Sequence, residues 1–329
     1  MDRDEFQPLM SRFFLEYLPR TRGLSANTAA SYRDSVVLFL RWAEDEDGIP
    51  ADKMSFRNLT AERVERFLNR LEESCSPSTC NNRLAAIKAF CRFAQRECPA
   101  ALDACAGVLA VKAKKAPEPV IGYLSAEGVK ALLRSAAADS LRDLALISAM
   151  YDLGARVQEV CDLTVGDLHL EKPATALVTG KGAKTRIVPM TPQVAEITSK
   201  YVASAGLGPD DPLFPNRKGS KMTRSGVRYV LEKHALAAAA EQPSAVPTKV
   251  TPHTLRHSKA MHLLEAGVNL IYIRDFLGHS SVTTTEVYAK ANPEAKRNAI
   301  EKAGAVVVEG SAYSDVERKG LVAWLKNNV

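Results

Sequence analysis

Residues 277–290 read LGHSSVTTTEVYAK, and residues 253–257 read HTLRH. His253 and Arg256 are three apart, so a helix would put them on one face. An arginine offers a planar fork that grips phosphate oxygens. A histidine trades protons near neutral pH. His279 follows Arg256 by 23 residues, and Tyr288 follows His279 by nine. Tyr288 stands among small and polar residues, where a core tyrosine would have apolar neighbours at helical spacing. A phenol in such a setting attacks phosphorus if the phosphate charge is neutralised and the leaving group is protonated. Taken alone, an HxxR pair is weak, because it arises often by chance.

Two upstream stretches supply the missing charge. In YDLGARVQEVCDL, Arg156 follows an apolar helix and a glycine, and Glu159 follows three later. The arginine reads either as an anion grip or as a helix-end cap paired with Glu159. In GKGAKTRIVPM, Lys181 lies in a Gly-rich hairpin turn, where a lysine swings freely enough to donate a proton. An ordinary polar turn is the plainer reading of that segment by itself.

The rest of the chain reads as two helical parts. Ser25 or Asn27 starts a helix whose apolar residues Tyr32, Val36, Phe39, Leu40 and Ala43 recur at helical steps. Thr60 caps a second helix, LTAERVERFLNRLEE. A third, SPSTCNNRLAAIKAFCRFAQREC, buries Leu84, Ile87 and Phe90, and carries Arg83, Lys88, Arg92 and Arg96 on its other face. That face reads as a DNA-phosphate surface or as a plain wet one. Residues 112–121, with Lys112, Lys114, Lys115, Pro117 and Pro119, break the helical pattern and read as a stiff linker. A helix then opens at Ser125. ALVTG and RIVPM form a β-hairpin over 175–190, and helices dominate again from about residue 192. A last apolar helix, with Leu321, Val322, Trp324 and Leu325, falls in the tail.

Composition sets the outer bounds. The chain has 329 residues, 46% apolar and 25% charged, which excludes a disordered chain and suits two domains. There is no apolar run long enough for a membrane span and no apolar leader, so the expected location is the cytoplasm. Net charge is +6, and residues 180–260 hold thirteen Lys and Arg against five Asp and Glu. The excess suits a polyanionic partner. Six cysteines include five between positions 75 and 105, with neither a CxxC nor a nearby histidine. They read as reduced thiols packed on helices, not as a metal site.

In order, Arg156, Lys181, the HxxR pair, His279 and Tyr288 resemble the tyrosine recombinase family of phage integrases and Xer recombinases. The family's TGxRxxE appears as LGARVQE, with Leu153 in place of threonine. GKGxKxRxVP, HxLRH and LGHSSVxTTxxY are complete, and the N-terminal helices resemble the family's core-binding domain, so the likeness covers about residues 5–300. The resemblance implies a mainly α fold: an all-helical core-binding (DNA-clamp) domain over 1–111, the linker 112–121, and a mostly helical α+β catalytic domain over 122–305 with a small antiparallel sheet. It also implies a C-terminal tail, 306–329, docking on a neighbouring protomer.

The same resemblance implies the roles. Tyr288 is the nucleophile that forms a 3′-phosphotyrosyl bond and frees a 5′-hydroxyl. Arg156 and Arg256 hold the non-bridging oxygens, Lys181 protonates the departing oxygen, His253 acts as acid/base toward the tyrosine, and His279 hydrogen-bonds the phosphate. Glu159 supports the site from behind. Arg83, Lys88, Arg92, Lys112, Lys114, Lys184 and Arg186 are candidate DNA contacts, while His257 packs or orients its neighbours. Neither a cofactor nor a metal is expected, since arginines and a lysine supply the positive charge. The implied partners are double-stranded DNA sites, three further copies forming a tetramer through a Holliday junction, and a partner recombinase or accessory protein. A longer loop before HTLRH and a longer tail favour a mobile-element integrase or transposase. Xer-type dimer resolution, a type IB topoisomerase and an inactive DNA-binding protein are the alternatives.

Overall fold

A computed structural model of the chain describes residues 5–117, 121–180, 182–279, 281 and 283–291. Lys181 and the tail 306–329 lie outside the described residues. The chain forms two compact units, Met1–Pro119 and Val120–Val329. Each has its own apolar core.

The first unit is helical throughout. Helix α1 (Phe6–Arg12) runs on as a π-helical turn, Phe13–Thr21, and is followed by α2 (Ala26–Asp47), α3 (Ala61–Glu72), α4 (Pro77–Glu97) and α5 (Leu102–Ala110). The caps read from sequence at Ser25 and Thr60 are in place, and Ser76 adds one that was not foreseen. The Ser25, Thr60 and Ser76 hydroxyls each accept the backbone N–H three residues on, which satisfies a donor the helix leaves free. The α1 segment and α5 carry no distinct sequence expectation; both are pinned by the core. Phe6 and Phe13 meet Phe90 edge-on, with ring centres 5.4 and 5.6 Å apart. All six cysteines are free, and five are buried.

The second unit begins with α6 (Ala126–Asp139), α7 (Leu141–Asp152) and α8 (Val157–Asp162). A three-stranded antiparallel sheet follows: β1 (Leu168–His169), β2 (Thr175–Thr179) and β3 (Thr185–Pro189), in the order β1-β2-β3. The expected hairpin is present, and its register sets Thr175 opposite Pro189 and Thr179 opposite Thr185. The short β1 adds an edge that its two residues did not announce. Five helices complete the described part: α9 (Pro192–Ala205), α10 (Arg224–Glu241), α11 (Pro252–Glu265), α12 (Leu270–Leu277) and α13 (Thr283–Ala291). Among the described residues no helix is long and apolar enough to cross a membrane.

Alternation places the first site residue. Along β3, Val188 is buried and Ile187 is 72% exposed, so Arg186, two before Val188, sits on the inner face. Leu153, the departure from TGxRxxE, is fully buried in the core.

Candidate active site

The site is built around two tight turns. Gly154 ends α7 with φ +53°, and Gly278 ends α12 with φ +64°. A Cβ on Gly154 would lie 2.9 Å from Phe276 and 3.0 Å from Leu277, so the two turns touch. Only glycine meets both the conformation and the closeness.

Three arginines converge on the end of α12. Arg186 Nε donates to the Phe276 carbonyl at 2.9 Å, Arg256 Nη2 to Leu277 at 2.7 Å, and Arg156 Nη2 to Gly278 at 3.2 Å. A helix end leaves its last carbonyls unpaired and carries partial negative charge, so guanidinium donors satisfy both. Arg256 also donates to the Gly154 carbonyl at 2.7 Å and is nearly fully buried. Burial, then Arg156, lowers its pKa to about 10. It therefore remains charged at neutral pH.

Glu159 is the counter-ion. It lies one turn into α8, buried, and reaches back to the Arg156 N–H at 2.9 Å. Its other oxygen accepts from Arg156 Nη1 at 2.8 Å. Arg186 donates to both carboxylate oxygens, at 3.2 and 2.8 Å. Burial pushes the Glu159 pKa up, but the Arg186 and Arg156 hydrogen bonds outweigh it and hold it below the usual range. Arg156 thus meets the second of its sequence readings: it stands at the N-cap of α8 with its N–H held by Glu159, and its guanidinium pairs with that carboxylate. Its side chain still keeps 37% exposure.

Tyr288 and three histidines lie alongside. Contrary to the polar setting read from its neighbours in sequence, Tyr288 is only 2% exposed and packs with Ala260, Met261, Ile273 and Leu277. Those contacts come from α11 and α12, which local sequence does not reveal. Its hydroxyl shares a 2.9 Å hydrogen bond with Nδ1 of His257. Burial raises the phenol pKa, against the pull of Arg256 and Arg156. The His279 ring stacks 6.4 Å from the tyrosine ring, and its Nδ1 bonds the Thr285 hydroxyl at 3.0 Å. Burial, Arg256 and Arg156 drive His279 down to about 4, so it is neutral. His253 is exposed, and its ring centre lies 6.1 Å from that of His257. Desolvation, Arg256 and Arg156 lower its pKa.

Arg156, Glu159, His253, Arg256, His279 and Tyr288 therefore come together, and His257 and Arg186 join them. His257, read as a packing or orienting residue, is the hydrogen-bond partner of the tyrosine. Arg186, read as a DNA contact, is an inward pillar under Glu159; the buried Val188 two residues on was the signal for it. Other expected DNA contacts are also tied within the first unit. Lys88 Nζ donates to the Leu109 and Val111 carbonyls and caps α5. Lys114 pairs with Glu72 at 2.6 Å, and its backbone exchanges hydrogen bonds with Asn81, so the start of the expected linker is anchored on the first unit. Arg83 donates to Ser35 at 3.0 Å. Arg92, Lys112 and Lys184 are exposed. Asp139, Asp143 and His234 place ligand atoms within 4.8 Å, a grouping not foreseen from sequence. Lys233, Arg142 and Ser135 already bind them, so this is an internal charge network.

The sequence pattern of the Phage integrase family matches residues 123–295, and that of the phage integrase N-terminal SAM-like domain matches residues 12–98. The chain belongs to the phage integrase family. It is a tyrosine recombinase, an enzyme of site-specific DNA breakage and rejoining. A putative integrase/recombinase y4rC of Sinorhizobium fredii is 34% identical over 302 residues, covering 90% of each chain. Tyrosine recombinase XerD of Corynebacterium glutamicum is 32% identical, covering 88% of this chain and 95% of its own. In fold, this recombinase is similar to XerH bound to its palindromic difH substrate, with a TM-score of 0.66 at 21% identity over 86% of this chain and 81% of that one. It is also similar to a lambda integrase tetramer bound to a Holliday junction, with a TM-score of 0.65 at 17% identity over 86% and 76%.

Proposed function

We infer that this recombinase cuts double-stranded DNA with Tyr288, forms a 3′-phosphotyrosyl intermediate, and integrates or excises a mobile element. The observation that carries the cleavage chemistry is the placing of the Tyr288 phenol against two arginines and two neutral imidazoles, with the arginines braced by Glu159 and by the α12 carbonyls. A phosphate entering there meets charge that needs no rearrangement, which is the arrangement that stabilises a pentavalent transition state. Arg156 and Arg256 hold the non-bridging oxygens and His279 adds a hydrogen bond. Lys181 protonates the 5′-oxygen.

The phosphotyrosyl bond conserves the energy of the broken phosphodiester, so rejoining needs no nucleotide. Four copies act on two DNA sites, exchanging strands through a Holliday junction. The first unit clamps the duplex through exposed cations such as Arg92 and Lys112, Lys184 adds a contact from the catalytic unit, and the tail docks on a neighbour. The y4rC relative favours the mobile-element role, as do the longer loop before HTLRH and the longer tail. Xer-type dimer resolution is the second reading, favoured by XerD relatives at nearly the same identity.

The test is covalent trapping on nicked duplexes drawn from DNA beside the gene. A denaturing-gel shift whose linked peptide contains Tyr288, absent in Tyr288→Phe with binding retained, is expected. An adduct on Tyr272, or one that survives in Tyr288→Phe, overturns the assignment.

A further inference from the structure

We propose that His257, not His253, takes the phenolic proton of Tyr288 during strand cleavage and returns it during rejoining. The proposal rests on Tyr288 being the nucleophile. His257 is the hydrogen-bond partner of the Tyr288 hydroxyl among the described residues, with Nδ1 to Oη 2.9 Å and ring centres 5.6 Å apart. A proton moves only to a group within such reach. His253 lies one turn earlier on α11 and stacks on His257, but its ring is exposed and makes no described bond to the phenol.

The surroundings fit an acceptor. His257 faces His253 and Arg256 from its own helix, Tyr288 from α13 and His279 from the turn after α12. Burial, then His253 and Arg256, lowers its pKa, so the ring is neutral at pH 7, and in the tautomer that carries its hydrogen on Nε2 the Nδ1 lone pair accepts the phenol hydrogen. The phenol has a reason to shed its proton only during attack, because burial disfavours a standing phenolate.

The step balances. The Tyr288 Oη–phosphorus bond forms as the bond from phosphorus to the 5′-oxygen breaks. The electron pair leaves on that oxygen, which takes a proton from the general acid, and the Oη proton passes to His257 Nδ1. In rejoining, the 5′-hydroxyl attacks and returns its proton to the conjugate base of the general acid, Oη departs with the pair, and His257 gives its proton back to Oη. The imidazolium formed beside Arg256 is offset by the negative charge that grows on the phosphorane.

His257→Gln separates taking a proton from holding the ring, since a carboxamide oxygen accepts a hydrogen bond but not a proton. Adduct formation on a nicked duplex should fall about 100-fold at pH 7 with DNA binding unchanged. The defect should shrink roughly tenfold per pH unit toward pH 9, as solvent takes over the proton. It should persist on a duplex with sulfur in place of the bridging 5′-oxygen, a leaving group that needs no acid. A rate near wild type, a defect equal at every pH, or rescue by sulfur each overturns the proposal. His253→Gln should keep the wild-type pH profile; transfer of the pH-dependent defect to it returns the role to His253. Survival of the adduct in Tyr288→Phe is the separate result that removes the nucleophile, and this proposal with it.

Discussion

Arg186 closes on Glu159 with both terminal nitrogens, Nη2 to Oε2 at 2.8 Å and Nη1 to Oε1 at 3.2 Å. The same carboxylate holds Arg156, and the Nε of Arg186 holds the Phe276 carbonyl. One residue of β3 therefore links α8, which carries an arginine of the site, to the end of α12, which leads to His279. The link is largely shielded from water, since Arg186 is 13% and Glu159 4% exposed.

Arg186→Ala leaves a buried carboxylate with one cation fewer. Removing one partner of a buried pair costs about 3–5 kcal/mol, and the remaining Arg156 puts this case near the lower end. Urea unfolding should show the loss, and strand cleavage should fall further than DNA binding. A DNA-contact role predicts the reverse: weaker binding at unchanged stability.

Gly278→Ala suffers twice. Its φ is +64°, and a Cβ there would lie 2.9 Å from Nη1 of Arg186. Gly48 has the same φ with nothing within 4 Å, so Gly48→Ala reports the backbone strain alone, about 1 kcal/mol. Gly278→Ala should cost more than this control in thermal unfolding, and cleavage should fall with it as the guanidinium is displaced.

Ser258→Ala tests the join between the start of the catalytic unit and α11. The Ser258 hydroxyl accepts the Leu124 N–H at 2.8 Å and donates to the Thr254 carbonyl at 2.8 Å, fully buried. The alanine orphans the Leu124 N–H, at about 1–3 kcal/mol in chemical denaturation.

Acid should destabilise the fold in two stages. His253, His257, His262 and His279 are all held below their free values, burial being the first cause in each. Below about pH 6.5 the unfolded chain binds protons that the folded one refuses, so stability is full above that pH and falls as pH drops. For His279 the loss runs down to about 4. Glu159 is depressed, so its contribution is present above about pH 4.5 and lost below it. Urea midpoints should therefore hold level from pH 8 to about 6.5 and decline from there to pH 4; a midpoint that rises on acidification contradicts the neutral histidine cluster.

Much of this was legible in order and spacing. Helix starts at Ser25, Thr60 and Ser125 followed from side chains that satisfy free N–H groups, and the hairpin followed from two strand-like runs about a Gly/Lys turn. The motifs brought Arg156, Arg256, His279 and Tyr288 into view because those side chains have few other uses in such a combination. What the residues by themselves determined was thus most of the elements, the family and the cast of charged groups. The tertiary structure alone decided who touches whom: that Arg186, Lys88 and Lys114 turn inward to carbonyls and carboxylates, that Tyr288 is buried, and that its hydroxyl shares a hydrogen bond with His257. The physical reason is that a buried donor or acceptor must find a partner. The nearest partner is set by how helices and strands far apart in the chain pack together, not by the residues beside it in sequence.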